Sequence, residues 1–102
     1  MNLYLISQRI NTGYDTFSSA VVAATTLERA KNIHPRGMVW DSVPPDERTY
    51  NDGTAMDGWE FGSVDEFDRE WADEPTEVDV VLIGTATAGT PEGVMLASYH
   101  AG

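Results

Sequence analysis

The sequence contains no cysteine, only six lysines and arginines, and no long apolar run. Without cysteine, disulfide bonds and thiolate metal sites are excluded. The scarcity of bases disfavours binding to nucleic acid or to an anionic membrane, because neutralising phosphates requires lysine and arginine. No apolar run approaches the roughly 20 residues that span a bilayer, and the N-terminus lacks the basic start of a signal peptide. These absences predict a cytoplasmic protein that binds neither nucleic acid nor membrane directly.

Acidic residues are abundant and are concentrated in residues 41–79, which we call the acidic segment. It contains 14 of the 17 acids of the chain and two of its six bases, Arg48 and Arg69, for a net charge of −12. Its first part, residues 41–62, is rich in helix and strand breakers and predicts a long loop. Solubility does not require charge to be confined to one segment, so this asymmetry favours an interaction surface over a merely solvated face.

The acidic segment predicts a partner-binding surface for a basic protein, of the kind that binds nucleic acids. Carboxylates would occupy the lysines and arginines that otherwise hold phosphates, and two large aromatic residues would anchor the contact. The residues predicted to bind the partner are Asp41, Asp46, Glu47, Tyr50, Asp52, Asp57, Trp59, Glu60, Asp65, Glu66, Asp68, Glu70, Asp73 and Glu74.

The apolar runs predict a single α+β domain over residues 1–102, with a mostly antiparallel sheet of four strands. The first and third strands are apolar on both alternating faces, which predicts that both of their faces are covered. The first two strands should form a hairpin with a longish loop, and the fourth should pair with the third. The strands are predicted at residues 3–8, 19–24, 78–83 and 94–99.

Two helices are predicted to pack on one face of this sheet. Residues 26–33 follow a capping box formed by Thr25 and Glu28. Residues 64–72 begin with a second capping box and carry an apolar stripe that includes Trp71, which should therefore lie in the core.

Two other functions remain open from the residues alone. Small-residue loops around Tyr14 and Thr87 could bind a nucleotide or another small ligand, although neither carries a phosphate-binding motif attached to a helix. Asp15, His34 and His100 could carry out general acid–base chemistry. No motif of a known hydrolase, nucleotide-binding loop or metalloprotease is present, and no spacing matches a calcium loop. We therefore predict a protein that is not an enzyme, with no catalytic residue, no metal and no cofactor.

Five short motifs lie at the two ends of the chain. They are Tyr4-Leu5-Ile6-Ser7-Gln8, Gly13-Tyr14-Asp15-Thr16, Ser19-Ala20-Val21-Val22-Ala23-Ala24, Ile33-His34-Pro35 and Ala97-Ser98-Tyr99-His100-Ala101-Gly102. With them the chain resembles a family of small proteins from bacterial, prophage and phage genomes, whose activity is not established. Small acidic proteins of that origin resemble inhibitors of host defence, including the anti-CRISPR class. The resemblance thus implies an accessory protein of a mobile element and carries over no catalytic residue.

Overall fold

The computed structural model describes residues 1–36, 70–72 and 74–100, and these residues form a four-stranded antiparallel sheet with little helix. The predicted antiparallel sheet is therefore confirmed. Its strands lie in the order β3-β1-β2-β4. They are β1 (Asn2–Ser7), β2 (Thr16–Ala24), β3 (Asp79–Thr85) and β4 (Gly93–His100).

The two central strands, β1 and β2, form the predicted hairpin, and a buried glutamine holds its loop. The Gln8 side-chain amide donates to the carbonyl oxygens of Asn11 and Phe17, at 2.6 and 2.9 Å. Its carbonyl oxygen accepts from the backbone N–H groups of Ile10 and Asn11, both at 2.9 Å. Gln8 was predicted as the last residue of the first strand. It instead opens the loop, where one side chain satisfies four backbone groups.

The two outer strands lie at opposite edges of the sheet, so the predicted pairing of the fourth strand with the third is wrong. β3 pairs with β1, and β4 pairs with β2. The seven residues between β3 and β4 can cross three strand spacings, about 14 Å, because an extended residue covers about 3.3 Å. On this crossing, the N–H of Ala86 donates to the carbonyl oxygen of Met1 at 2.9 Å.

The helix α1 (Leu27–Lys31) is shorter than predicted, and its cap is shifted by one residue. The hydroxyl of Thr26, rather than that of Thr25, accepts from the N–H of Arg29 at 3.2 Å. The helix ends after Lys31 in a tighter turn, because the N–H of Asn32 donates to the carbonyl oxygen of Arg29, three residues before it. No helix in the described ranges is long and apolar enough to cross a membrane.

The second predicted helix, at residues 64–72, is contradicted where the structure describes it. Residues 70–72 are not helical, and residues 64–69 lie outside the described residues. Further along the chain, Pro75–Glu77 forms one short 3-10 turn before β3. Among the described residues the sheet thus carries one short helix and one 3-10 turn, rather than two helices.

The core lies on the face of the sheet that carries α1, which we call the inner face. Trp71 is fully buried there, as predicted from the sequence, although the local backbone is not helical. The main members of the core are Tyr4, Ile6, Phe17, Ala20, Val22, Ala30, Ile33, Trp71, Ala72 and Val78.

The opposite face, which we call the outer face, corrects the prediction that both faces of the first and third strands are covered. On this face Val81 of β3, which pairs with Leu5, is 56% exposed. Even Leu82, which pairs with Tyr4 and so points to the inner face, is 59% exposed. In β1, Leu3 and Leu5 are only half-buried. An apolar pattern on both faces usually marks a strand between two layers, but here the core of described residues is on one face.

Leu82→Ala is expected to change the free energy of unfolding by no more than about 0.5 kcal/mol, because exposed positions lose little when truncated. Urea denaturation of the variant and the parent protein measures this difference. Ile6→Ala is the control, and it should cost about 2–5 kcal/mol since that side chain is fully buried. Equal losses in the two variants would show that Leu82 is packed after all.

Candidate functional site

Most of the predicted partner-binding residues lie outside the described residues, as do the predicted loop at 41–62 and the start of the predicted helix. The two that the structure describes are Glu70 and Glu74, and Glu74 is exposed. Those outside are Asp41, Asp46, Glu47, Tyr50, Asp52, Asp57, Trp59, Glu60, Asp65, Glu66, Asp68 and Asp73.

Glu70 is buried in an ion pair, which corrects its predicted place on the open acidic surface. Its side chain is 5% exposed, and Arg36 grips both carboxylate oxygens, from Nε at 2.6 Å and from Nη2 at 2.7 Å. The hydrogen bonds to Glu70 hold the pKa of the Arg36 guanidinium above its ordinary value. The Glu70 carbonyl oxygen also accepts from the N–H of Phe17 at 2.8 Å. Glu70 therefore joins its segment to the sheet.

Arg36 also contacts two aromatic rings at the same end of the sheet. Its guanidinium carbon lies 5.6 Å from the ring centre of Phe17 and 5.7 Å from that of Tyr99. Both distances suit cation–π attraction. The Tyr99 hydroxyl donates to Asp15 at 3.4 Å. Partial desolvation, together with the carboxylates of Asp15 and Glu70, raises the pKa of Tyr99 above its ordinary value.

The structure brings the three candidate acid–base residues to one end of the sheet. His100 pairs in register with Thr16, the residue after Asp15. The ring of His34 lies edge-on to that of Phe17, with 6.2 Å between the ring centres. However, His34 is 1% exposed, and its Nδ1 accepts from the N–H of Arg36 at 3.0 Å. This position does not present the His34 ring to a substrate in solvent.

The two loops considered for a small ligand lie at opposite ends of the sheet. Tyr14, which is 73% exposed, follows the end of β1, whereas Thr87 lies beyond Thr85, which pairs with Asn2. The six residues of β1 separate them by about 20 Å at 3.3 Å per residue. A single small ligand therefore cannot contact both loops.

The basic residues outside the acidic segment are largely engaged in ion pairs. Arg29 holds Glu92 through two hydrogen bonds of 2.7 and 2.6 Å. These bonds keep the pKa of Glu92 below its ordinary value. Arg9 lies 3.5 Å from Asp79. Together with Arg36, three of the four bases in the described part pair with described carboxylates.

These pairs neutralise little of the acidic segment. Among the described residues, Arg36 and Arg9 pair with two of its 14 acids, Glu70 and Asp79. Setting those two aside leaves 12 acids of the segment against its own two bases. The charge asymmetry seen in the sequence therefore persists after the ion pairs between described residues are counted.

The outer face carries an apolar row that the sequence reading missed. Pairing in register places four side chains side by side across the sheet, one from each strand. The two central ones are on the outer face because their neighbours in β1 and β2 are buried in the core, and residues paired in register share a face. The alternation of apolar residues predicts which residues of a strand share a face. It does not give the register that places these four side chains next to one another. We call Val81, Leu5, Val21 and Leu96, in that order, the outer row.

Comparison of the chain with protein-family models, with curated proteins and with solved structures found no match. Its function is therefore inferred from the charge, burial and geometry of its own residues.

Proposed function

We propose that the protein is a non-enzymatic acidic inhibitor that docks on a basic, nucleic-acid-binding surface of a host-defence or nucleic-acid-handling complex. The observation that carries the proposal is the net negative charge of the acidic segment, 12 acids against two bases once the described ion pairs with Arg36 and Arg9 are set aside. A surface of this charge attracts lysine and arginine clusters and repels phosphates.

The mechanism is competition for one groove. Long-range attraction raises the rate of encounter with a basic surface, and the bound carboxylates then exclude the phosphates of the nucleic acid. Tyr50 and Trp59, the large aromatic residues of the segment, would slow dissociation as anchors. The resemblance to small phage and prophage proteins supports a target among the defence complexes of the host cell.

A binding site on the small basic patch of the chain, around Arg29, Lys31 and Arg36, is less well supported. Two of its three cations grip carboxylates through pairs of short hydrogen bonds. An anionic ligand would have to displace those carboxylates before it could bind.

Reversing three charges of the acidic segment tests the proposal. The variant Asp65→Lys, Glu66→Lys and Asp68→Lys leaves Glu70 intact, because Glu70 is part of the fold. Its association rate with the captured partner should fall by about tenfold or more at low salt. The difference should shrink as salt rises, since screening over about 8–10 Å removes long-range attraction.

The partner is obtained by affinity capture from bacterial lysate, and binding kinetics are measured with and without competing duplex DNA or RNA. Glu28→Lys is the control, because Glu28 is exposed and lies outside the acidic segment. It should change the association rate little. The proposal fails if the triple variant binds at the parental rate, or if nucleic acid does not compete with the protein.

A further inference from the structure

A buried histidine lies beside the contact that joins Glu70 to the sheet. His34 is 1% exposed, and its Nδ1 accepts from the backbone N–H of Arg36 at 3.0 Å. The guanidinium of the same Arg36 holds the Glu70 carboxylate, and the Glu70 carbonyl oxygen accepts from the N–H of Phe17. The rings of His34 and Phe17 meet edge-on. One histidine is therefore linked through Arg36 to the attachment of the acidic segment.

The hydrogen bond from Arg36 fixes the protonation state of the histidine ring. Nδ1 accepts a hydrogen bond only when it carries no proton, so the folded chain holds His34 neutral. A proton on Nδ1 would point at the N–H of Arg36, donor against donor. The charged ring would also be almost without contact to water. This arrangement and the protonation of His34 therefore oppose each other.

Other charged and titratable groups lie at the same corner of the sheet. Arg36 disfavours a second cation close by, and it already engages both carboxylate oxygens of Glu70. Asp15 is exposed and accepts from the hydroxyl of Tyr99. The described groups at this corner are Asp15, Arg36, Glu70, Tyr99 and His100. Arg36 and Glu70 form a neutral pair, so burial and the Arg36 N–H dominate the charge state of His34.

We propose that His34 is a pH-sensitive switch for the attachment of the acidic segment to the sheet. When His34 takes up a proton, residues 34–36 turn towards solvent, Arg36 releases Glu70, and Glu70 releases the N–H of Phe17. The opening is local, because the Arg36 side chain is already 45% exposed and the neighbouring Trp71 stays in the core. This inference holds whatever the acidic segment binds.

The working range of the switch follows from where histidine titrates. In the open state the ring is in water and takes up its proton below about pH 6.5, the ordinary pKa of histidine. The closed state does not take up this proton, so closure is fully favoured above that pH and progressively less favoured below it. From pH 7.5 to 5.5 the equilibrium constant for opening rises by about tenfold. Carboxylates ordinarily titrate near pH 4, below this range.

Amide hydrogen exchange at Phe17 measures the opening, because this N–H donates to Glu70. After correction for the intrinsic exchange rate, its protection should fall about tenfold from pH 7.5 to 5.5. The protection should be nearly independent of low concentrations of urea, since a local opening exposes little surface. NMR titration of the same protein should find His34 still neutral at pH 6, where an exposed histidine is mostly charged.

His34→Gln is the decisive variant. The glutamine amide oxygen can accept from the N–H of Arg36 and does not titrate. Protection at Phe17 should therefore lose its dependence on pH, whatever its absolute value in the variant. His100→Gln is the matched control, because it removes the other histidine of the chain. It should leave the tenfold fall intact.

Three results would overturn the inference. If His34 is mostly charged at pH 6, a carboxylate outweighs its burial and the ring is not held neutral. If the dependence on pH survives in His34→Gln, it belongs to another group. If exchange at Phe17 follows the global unfolding of the chain in urea, acid unfolds the protein as a whole and there is no local switch.

Discussion

Trp71→Ala is expected to lower the free energy of unfolding by about 3–5 kcal/mol, the cost of truncating a large aromatic residue in a core. Trp71 is fully buried and is the largest side chain of the core. Its carbonyl oxygen also accepts from the side-chain amide of Asn11 at 2.7 Å, so the residue links the segment before β3 to the hairpin loop. Urea denaturation followed by circular dichroism measures the loss.

Trp71→Phe separates the packing of the aromatic ring from the effect of the buried indole N–H. Its N–H is buried and has no acceptor in the part of the chain that the structure describes. A buried donor without an acceptor lowers stability by about 1–3 kcal/mol. Removing the N–H therefore offsets part of the stability that is lost to the smaller cavity. We expect a loss below about 2 kcal/mol. If Trp71→Phe is as damaging as Trp71→Ala, the N–H has an acceptor that matters.

Glu70→Ala is expected to lower the free energy of unfolding by about 2–3 kcal/mol. The substitution removes both short hydrogen bonds to Arg36. The loss is below that for a fully buried ion pair because the Arg36 side chain is 45% exposed and keeps access to water. Glu74→Ala is the control, since Glu74 is an exposed acid four residues away. Its side chain only caps the short 3-10 turn, so its loss should be no more than about 1 kcal/mol.

Arg36→Ala should cost more than Glu70→Ala. It leaves a carboxylate that is only 5% exposed without its counter-ion, whereas Glu70→Ala leaves a guanidinium that water can reach. The double variant should then lose less than the two single losses added, since the groups act as one unit. Additive losses in urea denaturation would show that the pair contributes little as a pair. If Glu70→Ala loses no more stability than Glu74→Ala, Glu70 is an exposed acid of the acidic segment, as the sequence predicted.

The strands were predictable because their residues specify them locally. Runs such as residues 78–83 and 94–99 favour the pleated conformation through branched and aromatic side chains, and the observed strands overlap every predicted one. Their order was not predictable in the same way. Nothing in residues 94–99 specifies β2 rather than β3 as a neighbour, because an antiparallel partner is chosen by packing and by the length of the connection.

The site predicted from the sequence differs from the structure where a contact joins residues that are distant in the chain. Glu70 looked like a surface acid because its neighbours are polar, and only the fold brings it to Arg36, 34 positions earlier. The helix cap failed by a single residue, because Thr25 and Thr26 are equally good caps. The outer row needed the register of all four strands. The net charge of the acidic segment, in contrast, follows from the sequence alone and needs no knowledge of the fold.

The central position of the hairpin has a consequence for how the chain folds. Residues paired between β1 and β2 are close in sequence, but residues paired in the other two ladders lie between 70 and 84 positions apart. Closing such long loops costs entropy before any contact repays it, and pairings of this kind fold slowly. During synthesis the hairpin therefore emerges with both of its edges unpaired. The sheet is completed only after β3 and β4 have left the ribosome, so until then both edges of the hairpin are open to aggregation.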